Sequence, residues 1–377
     1  MVTKQPKLKL RTWVTIDTKA VAKNYAVFRR AISKKTKLMA IVKSNAYGNE
    51  LIGFSKVIDE LGADCFGVDS ITEGLALRAS GIKKPILVLG YTIPENFKLA
   101  SEKNISITLS NNDILEALRN ARFKIKVHVK IDSGMHRQGF FPSDAEKLAS
   151  ELLKMKNVTV EGIYTHFANA KNPKFSEDTD NQGKEFLKAT EVFEKKGFTF
   201  IKHACASAGA LLFPKYHFDM VRVGIGLHGL WPAKEVGVAC EKKVKLSPVL
   251  SWKTIVAETK LVPKGEGVGY DFTEILKKDT LLAVCPVGYW HGFARALSSN
   301  GDVLIKGSRA RVVGRVAMDM IVVDISNIKG VKAGDEVVLI GSQGKERISA
   351  EEMAEKTGTS NYEVVTRINP KIHRIFI

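Results

Sequence analysis

The chain has 377 residues, of which 45% are hydrophobic and 26% charged, the balance of a globular protein with room for two or three domains. That balance excludes a disordered tail, a collagen-like repeat and a small disulfide-stapled scaffold, and no apolar run approaches the ~20 residues that span a bilayer. Lysine and arginine (58) outnumber aspartate and glutamate (40), leaving +18, which raises nucleic acid, a membrane surface or an anionic ligand as candidate partners.

The first residues, MVTKQPKLKLRTW, are basic with no apolar run behind them, so no secretory signal is expected. LKLRTWVTID then alternates like a strand. From Leu38 to Gly229 short apolar runs alternate with amphipathic stretches. The runs are LMAIV (38–42), DCFGV (64–68), PILVL (85–89), ISITL (105–109), KVHVKI (126–131), VTVEGIYTH (158–166), FIKHACA (200–206) and DMVRV (219–223). Helical spacing lies between them, as in Leu51, Phe54, Ile58 and Leu61, or Leu115 to Leu118 behind a cap-like Asn112–Asp113. Eight strands alternating with helices predict a closed (β/α)8 barrel of the TIM type. An open doubly wound sheet is disfavoured because GxGxxG does not follow the first strand.

Beyond Lys243 the texture changes to strand-like runs: VLSWKTIVAETKLV, TLLAVCPVGY, DVLIKG, ARVVGRV, MIVVDI and EVVLIG. Ser349 with Glu352 marks one helix start as a capping box. The expected organisation is an N-terminal strand (1–15) packing with the late domain, a barrel (16–243) and a β-rich C-terminal domain (244–377). Cys65, Cys205, Cys240 and Cys285 are scattered, with no CxxC and no Cys/His cluster at metal spacing, so no metal and a reducing, cytoplasmic location are expected.

Chemistry in a barrel gathers where strands end and βα loops open. Strand one ends at Lys43, before Ser44, Asn45, Ala46, Tyr47 and Gly48. The strand-five end supplies Lys130, Asp132 and Arg137, strand six supplies His166, strand seven Ser207, and strand eight Arg222, Gly224 and Ile225. Each has an ordinary explanation: a surface lysine, a satisfied core histidine, a turn glycine, structural ion pairs. Together they suit another chemistry. An apolar strand delivering one lysine suits a Schiff base with a carbonyl. Ser207 and the Gly224 and Ile225 amides sit where this fold binds phosphate, and two arginines at one rim suit a doubly anionic ligand. Lys130, on an inward face with Lys126, His128 and Asp132, needs a partner, for which Asp132 is the simplest answer.

With these residues in place the sequence resembles the alanine racemase family, nearly end to end, from TWVTID at 12–17 to HRIFI at 373–377. The strongest stretches are MAIVKSNAYG, ILVLGY, VKIDSGMHRQG, VEGIYTHFANA, MVRVGIGLHGL, VGRVAMDM and NYEVV. The resemblance implies pyridoxal 5'-phosphate as cofactor and two-base racemisation of alanine, supplying D-alanine for peptidoglycan. It implies Lys43 as Schiff-base lysine and the base for the D-enantiomer, with Tyr270 as the base for the L-enantiomer. Tyr47, Ser207, Gly224 and Ile225 match phosphate-binding positions. Arg222 matches the arginine at the pyridine nitrogen and His166 the histidine beside it. Arg137 matches a residue near the substrate carboxylate, Lys130 a lysine often carbamylated, and Met318 and Tyr289 substrate-side and entrance positions. A homodimer with shared sites is implied, because the family's tyrosine base reaches the partner's barrel. Positive charge from His166 and Arg222 is expected to favour the Tyr270 phenolate.

Four positions depart from the pattern. Pro370 stands where the family carries a tyrosine, His291 replaces the aspartate of GYxDG, Asp271 replaces the glycine after the tyrosine base, and Ala206 replaces the asparagine before Ser207. A wider pocket at Pro370 keeps serine, lysine or other amino acids open as substrates. A barrel decarboxylase with the same cofactor is the other enzyme alternative, though Arg222 and VGIG occupy the places of its glutamate and glycine-rich loop. A non-catalytic carrier of the cofactor lacks the late domain. The basic residues fall as scattered pairs such as Lys83 and Lys84 or Lys277 and Lys278, without a nucleic-acid motif; neither nucleic acid nor membrane is an expected partner.

Overall fold

The computed structural model describes residues 9–377 and divides into two compact units. One comprises Lys19–Tyr47 and Leu51–Pro248; the other comprises the described residues up to Thr18, Gly48–Glu50 and Val249–Ile377. Residues 1–8 of the expected leading segment (1–15) lie outside the described residues. The units change over at 18/19 and 248/249, a few residues beyond the 15 and 243 read from sequence texture.

Strand β1 (Thr12–Ile16) belongs to the second unit. The first unit is a closed parallel barrel of β2 (Lys37–Ile41), β3 (Cys65–Val68), β4 (Ile86–Val88), β5 (Ile105–Leu109), β6 (Ile125–Lys130), β7 (Val158–Tyr164), β8 (Ile201–His203) and β9 (Met220–Val223). β9 closes onto β2 with Met220 opposite Lys37 and Arg222 opposite Met39. Strands covered on both faces read as apolar runs instead of alternations, and every residue of β5 is buried. The intervening helices turn a narrow apolar stripe inward. Helix Leu51–Glu60 buries Leu51, Phe54, Ser55 and Ile58. Helix Asn112–Arg119 is capped one residue earlier than its sequence suggests: Asn111 Oδ1 accepts the Ile114 N–H at 2.9 Å, which satisfies a donor the first turn leaves open.

The barrel interior is chemically divided. Met39, Ile41, Cys65, Leu87 and Met220 pack as an apolar cluster, whereas His128, Lys130, Tyr164, His203 and Arg222 are buried polar or ionisable groups. Alternation along β9 puts Met220 and Arg222 on one face, so a single strand joins the two halves. Where β6 pairs β7, Glu161 is skipped between the pairing of Val127 with Val160 and that of His128 with Gly162, and Lys126, outside the buried group, meets this Glu161 at 2.8 Å.

The second unit is sheet-rich. Its larger sheet joins β1, β10 (Leu250–Ile255), β15 (Asp302–Ile305), β16 (Ser308–Arg311), β18 (Glu336–Gln343), β19 (Glu346–Ile348) and β20 (Arg374–Phe376). β11 (Glu258–Val262), β14 (Thr280–Cys285) and β17 (Ile321–Asp324) form a smaller sheet, and β12 (Gly267–Val268) pairs β13 (Glu274–Ile275). β1 runs antiparallel to β10, with Ile16 opposite Leu250, and parallel to β20. Ser349 caps helix Ala350–Thr357 by accepting from Glu352 N–H at 3.1 Å. The reciprocal half of the expected box is not made, because the Glu352 carboxylate takes Arg309 at 2.6 and 3.0 Å; a bidentate guanidinium outcompetes a single backbone N–H.

Asn24, wholly buried in helix Thr18–Ala31, ties the barrel's last segment down: its amide donates to Leu227 O (3.2 Å) and Ser247 O (2.8 Å) and accepts from Ser247 N–H (2.8 Å). Asn24→Ala leaves these backbone groups without their partner and is expected to lower unfolding stability by about 2–3 kcal/mol. Equilibrium denaturation of the two proteins measures it, and an unchanged midpoint would remove the asparagine from that role.

Candidate active site

Lys43 leaves the end of β2 and opens a turn of the wrong hand. Ser44, Asn45, Ala46 and Tyr47 have φ of 56°, 55°, 50° and 53°, four consecutive left-handed residues at a cost of about 1–2 kcal/mol each for L-residues. Such strain persists only where surroundings over-determine it. Here the Asn45 N–H donates to Glu73 Oε1 (3.2 Å), Asn45 Oδ1 accepts from Leu51 N–H (2.9 Å), and the Ala46 N–H reaches Val42 O (2.9 Å). Glu73 also accepts from Asp69 N–H at 2.9 Å, and Asp69 Oδ1 lies 3.2 Å from Lys43 Nζ. One helix-borne glutamate therefore fixes both the lysine's turn and the lysine's counter-ion. SNAYG reads in sequence as an ordinary loop; Asp69 and Glu73 carry no motif that links them to Lys43.

The turn delivers Tyr47 to the loops after β8 and β9. Ser207 opens helix Ser207–Leu212, and its Oγ accepts the Gly224 N–H at 3.1 Å. A Cβ on Gly224 would fall 2.4 Å from the Tyr47 hydroxyl, so glycine is required for the tyrosine to stand there. Ile225 begins the 3-10 turn Ile225–His228, whose first N–H groups have no acceptor inside the turn. Two hydroxyls and backbone amides converge with no carboxylate among them, the donor set of a phosphate site.

Arg222 is the centre of the polar interior. Only 3% exposed, it donates to Thr165 O (2.8 Å), Ala204 O (2.8 Å), His203 Nδ1 (3.0 Å) and His166 Nδ1 (3.2 Å). All four partners are neutral acceptors. Burial brings the guanidinium down to about 10, so it stays charged near neutrality. A donor-only group forces the histidine tautomers: His203 must accept at Nδ1 and so offers its Nε2 hydrogen to His128 Nδ1, 2.9 Å away. The Tyr164 ring stacks on His203 at 4.8 Å and lies under the Arg222 cation at 5.2 Å.

His166 does not carry the positive charge expected of it. Burial, then Arg222, Arg137, Lys130 and Lys43, hold it well below the ordinary imidazole range, and its Nδ1 must be free to accept from Arg222. Lys130 is brought down to about 8, first by burial and then by Arg137 and Arg222. Its bond is to Gln138 Oε1 at 3.2 Å, not to Asp132. Asp132 Oδ1 instead accepts the N–H groups of Gly134 (3.1 Å), Met135 (2.9 Å) and His136 (2.9 Å), which shapes the loop that ends in exposed Arg137. Three backbone donors in one tight turn outcompete one lysine.

Tyr270, Tyr289 and Met318 lie in the other unit. Tyr270 opens the turn Tyr270–Phe272 and is 68% exposed. The unexpected Asp271 after it has φ 60°, which aspartate tolerates better than most residues, and its carboxylate lies 2.8 Å from Arg315 Nε. Tyr289 opens the turn Tyr289–His291, with Tyr289 N–H on Ala317 O (3.1 Å) and Trp290 N–H on Met318 O (3.0 Å). Segment 315–318 thus carries Met318 together with partners of the Tyr270–Phe272 and Tyr289–His291 turns. Pro370 is exposed, and Ala206, at the N-cap of Ser207–Leu212, makes no side-chain capping bond. The four cysteines are buried free thiols, and no helix among the described residues is long and apolar enough to cross a membrane.

Comparison with known proteins places the fold and both halves of the chain in one family. The family models for the alanine racemase N-terminal and C-terminal domains match residues 16–232 and 249–376. An alanine racemase of Leptospira interrogans is 38% identical, over 97% of this chain and 96% of its own length, and one of Methanococcus maripaludis is 39% identical, over 97% and 98%. Among solved structures, alanine racemase from Bacillus anthracis with bound L-Ala-P superposes with a TM-score of 0.93 at 35% identity, covering 99% of this chain and 96% of that one. Alanine racemase from D-cycloserine-producing Streptomyces lavendulae gives 0.90 at 32%, covering 98% of each. With a closed barrel, a sheet-rich second unit and full-length matches to both halves, the chain belongs to the alanine racemase family.

Proposed function

We propose that this chain interconverts L- and D-alanine with pyridoxal 5'-phosphate, supplying D-alanine for peptidoglycan. The observation that carries this is Arg222, a buried cation bonded only to neutral acceptors, on the same barrel as Lys43 and the Tyr47–Ser207–Gly224 cradle. When bound, pyridoxal phosphate supplies an electron-accepting ring that acidifies the Cα–H of an amino acid. Lys43 would hold it covalently, and Tyr47, Ser207, Gly224 and Ile225 would hold its phosphate. Arg222 keeps its protons near neutrality and so would offer the cofactor's ring nitrogen a hydrogen bond, not a proton. His166 accepts from Arg222 and keeps it aimed. Arg137 would take the substrate carboxylate.

Racemisation takes a proton from one face of Cα and returns one to the other, so it needs two bases of opposite placement. Lys43 Nζ serves the D-enantiomer and Tyr270 Oη the L-enantiomer. Tyr270 would come from a partner subunit: Tyr270, Phe272, Ile275, Met318 and Met320 are each more than half exposed on one unit, apolar groups that association with a second subunit would cover. Met318 and Tyr289 would line the approach to substrate. Pro370 favours a wider approach than a tyrosine would leave, so serine and lysine belong in a racemisation screen beside alanine; turnover of alanine alone would refute the wider pocket.

Lys43→Ala is expected to abolish the visible absorbance of covalently held cofactor and to lower racemisation by about 10³-fold or more, the scale of losing a nucleophile that is also a base. Retention of that absorbance would show that another lysine holds the group. Co-expressing Lys43→Ala with Tyr270→Phe chains is expected to restore activity, because one of the two sites in a heterodimer then has both bases. Demonstrated heterodimers without recovery would overturn the shared site.

Lys130 is proposed to be carbamylated: its amine attacks carbon dioxide, forming an N–C bond and releasing one proton to solvent. The new carboxylate would offset Arg137. Brought down to about 8, Lys130 has a sizeable neutral fraction at mildly alkaline pH, and this falls as acid protonates the amine. A carbamate carbon-13 signal from labelled carbon dioxide should therefore grow from pH 7 to 8.5 and be missing from Lys130→Ala. The same signal in the variant would place the modification elsewhere.

A further inference from the structure

One ring nitrogen in the C-terminal unit faces a donor and an acceptor at once. His291, 2% exposed, ends the turn Tyr289–His291, and its Nδ1 accepts the Gly288 N–H at 3.2 Å. The same Nδ1 lies 3.9 Å from Asp319 Oδ1. Imidazole can accept at Nδ1 only while that nitrogen is unprotonated. Neutral His291 therefore closes the turn on Gly288; protonated His291 must release Gly288 and turns its Nδ1–H toward Asp319.

The turn is wired to the substrate side. Gly288 presses on the 317–318 backbone so closely that a Cβ would fall 2.2 Å from Ala317 O. Tyr289 and Trp290 donate to Ala317 O and Met318 O, His291 O accepts from Asn369 N–H (3.1 Å), and Asn369 Nδ2 donates to Trp290 O (3.0 Å). Asn369 precedes Pro370. Tyr289 itself lines a cavity of about 840 Å³ with Arg295, Leu297, Met353 and Arg367. Freeing the Gly288 N–H thus loosens Tyr289, Met318 and the Asn369–Pro370 corner together.

We propose that His291 is a positioning residue whose unprotonated ring holds the Tyr289–Met318 approach in shape, so that acid weakens substrate binding through a histidine remote from the reacting atoms. The proposal rests on the racemase reading. The groups that bear on the ring are few. Burial and Arg11 oppose its protonation and Asp319 favours it, with a net downward shift. Arg367, on the segment beside Gly292, is engaged by Glu363 at 2.9 Å. The ring consequently stays neutral at physiological pH, and release begins below the ordinary imidazole range of about 6.5.

The test compares wild-type holoenzyme with His291→Asn from pH 8 to 5. Asparagine offers an acceptor that no proton removes and an amide that can face Asp319. Wild-type KM for alanine is expected to rise on acidification about fivefold more than that of His291→Asn, the factor of one net hydrogen bond, with kcat following the same profile in both. Asp319→Asn should move the wild-type transition to lower pH. Trp290 meets the His291 ring edge-on at 4.9 Å and 82°, and a protonated imidazole quenches indole emission. Fluorescence should therefore titrate in the wild type and lose that step in both His291→Asn and Trp290→Phe. Identical KM profiles in active wild-type and His291→Asn enzyme overturn the proposal, as does a fluorescence step that survives in His291→Asn. A histidine-dependent fluorescence step in an enzyme that racemises nothing at any pH would instead overturn the racemase reading.

Discussion

A guanidinium sealed inside a barrel with no carboxylate bonded to it is the constraint from which most of this site follows. Arg222 can be satisfied only by neutral acceptors, so His203 and His166 must both present a lone pair to it. Their neutrality is doubly enforced, by burial and by the cation they serve. The same charge presses on Lys130 and helps bring its amine to about 8. Burial and this one positive charge thus act in the same direction on three neighbours, and the charge is felt because a low-dielectric interior screens it far less than water. An uncompensated cation also makes the rim receptive to anions, which fits a ligand carrying a phosphate and a carboxylate.

The second organising feature is mechanical. Four left-handed residues after Lys43 are locally unfavourable, yet they bring the lysine from β2 and the Tyr47 hydroxyl from its far end to neighbouring places. Glu73 holds the arrangement by accepting from both Asn45 and Asp69. Stability lost in the backbone is exchanged for placement, as at other sites where strain and function coincide. The departures from the family pattern follow a related logic. Asp271 adopts a conformation usually reserved for glycine with Arg315 beside its carboxylate, and His291 supplies to Gly288 an acceptor that a proton can remove.

The 58 lysines and arginines divide unevenly. Lys43, Lys130, Arg137 and Arg222 bear on the candidate site. Many others stand in surface ion pairs such as Arg119 with Glu151, Lys202 with Glu194 and Arg309 with Glu346 and Glu352, each worth little by itself in water. The chemistry depends on the few cations that burial has deprived of solvent.

Sequence alone determined the barrel, because eight apolar runs separated by helical spacing admit few other architectures, and it determined the residue types at the strand ends, because alternation and loop position are local properties. It also exposed the family, through KSNAYG and KIDSGMHRQG, which are long and specific. What it left undecided was everything fixed by pairing across distance. Two residues of sequence separation point to Asp132 as the partner of Lys130, yet three backbone N–H groups claim it; His166 reads in sequence as a cation, yet Arg222 requires its lone pair. Asp69, Glu73 and His203 carry no motif, and only the closure of the barrel brings them to Lys43 and Arg222. Hydrogen bonds and charge act over a few ångströms of space, and the order of residues along the chain does not record which groups folding will bring that close.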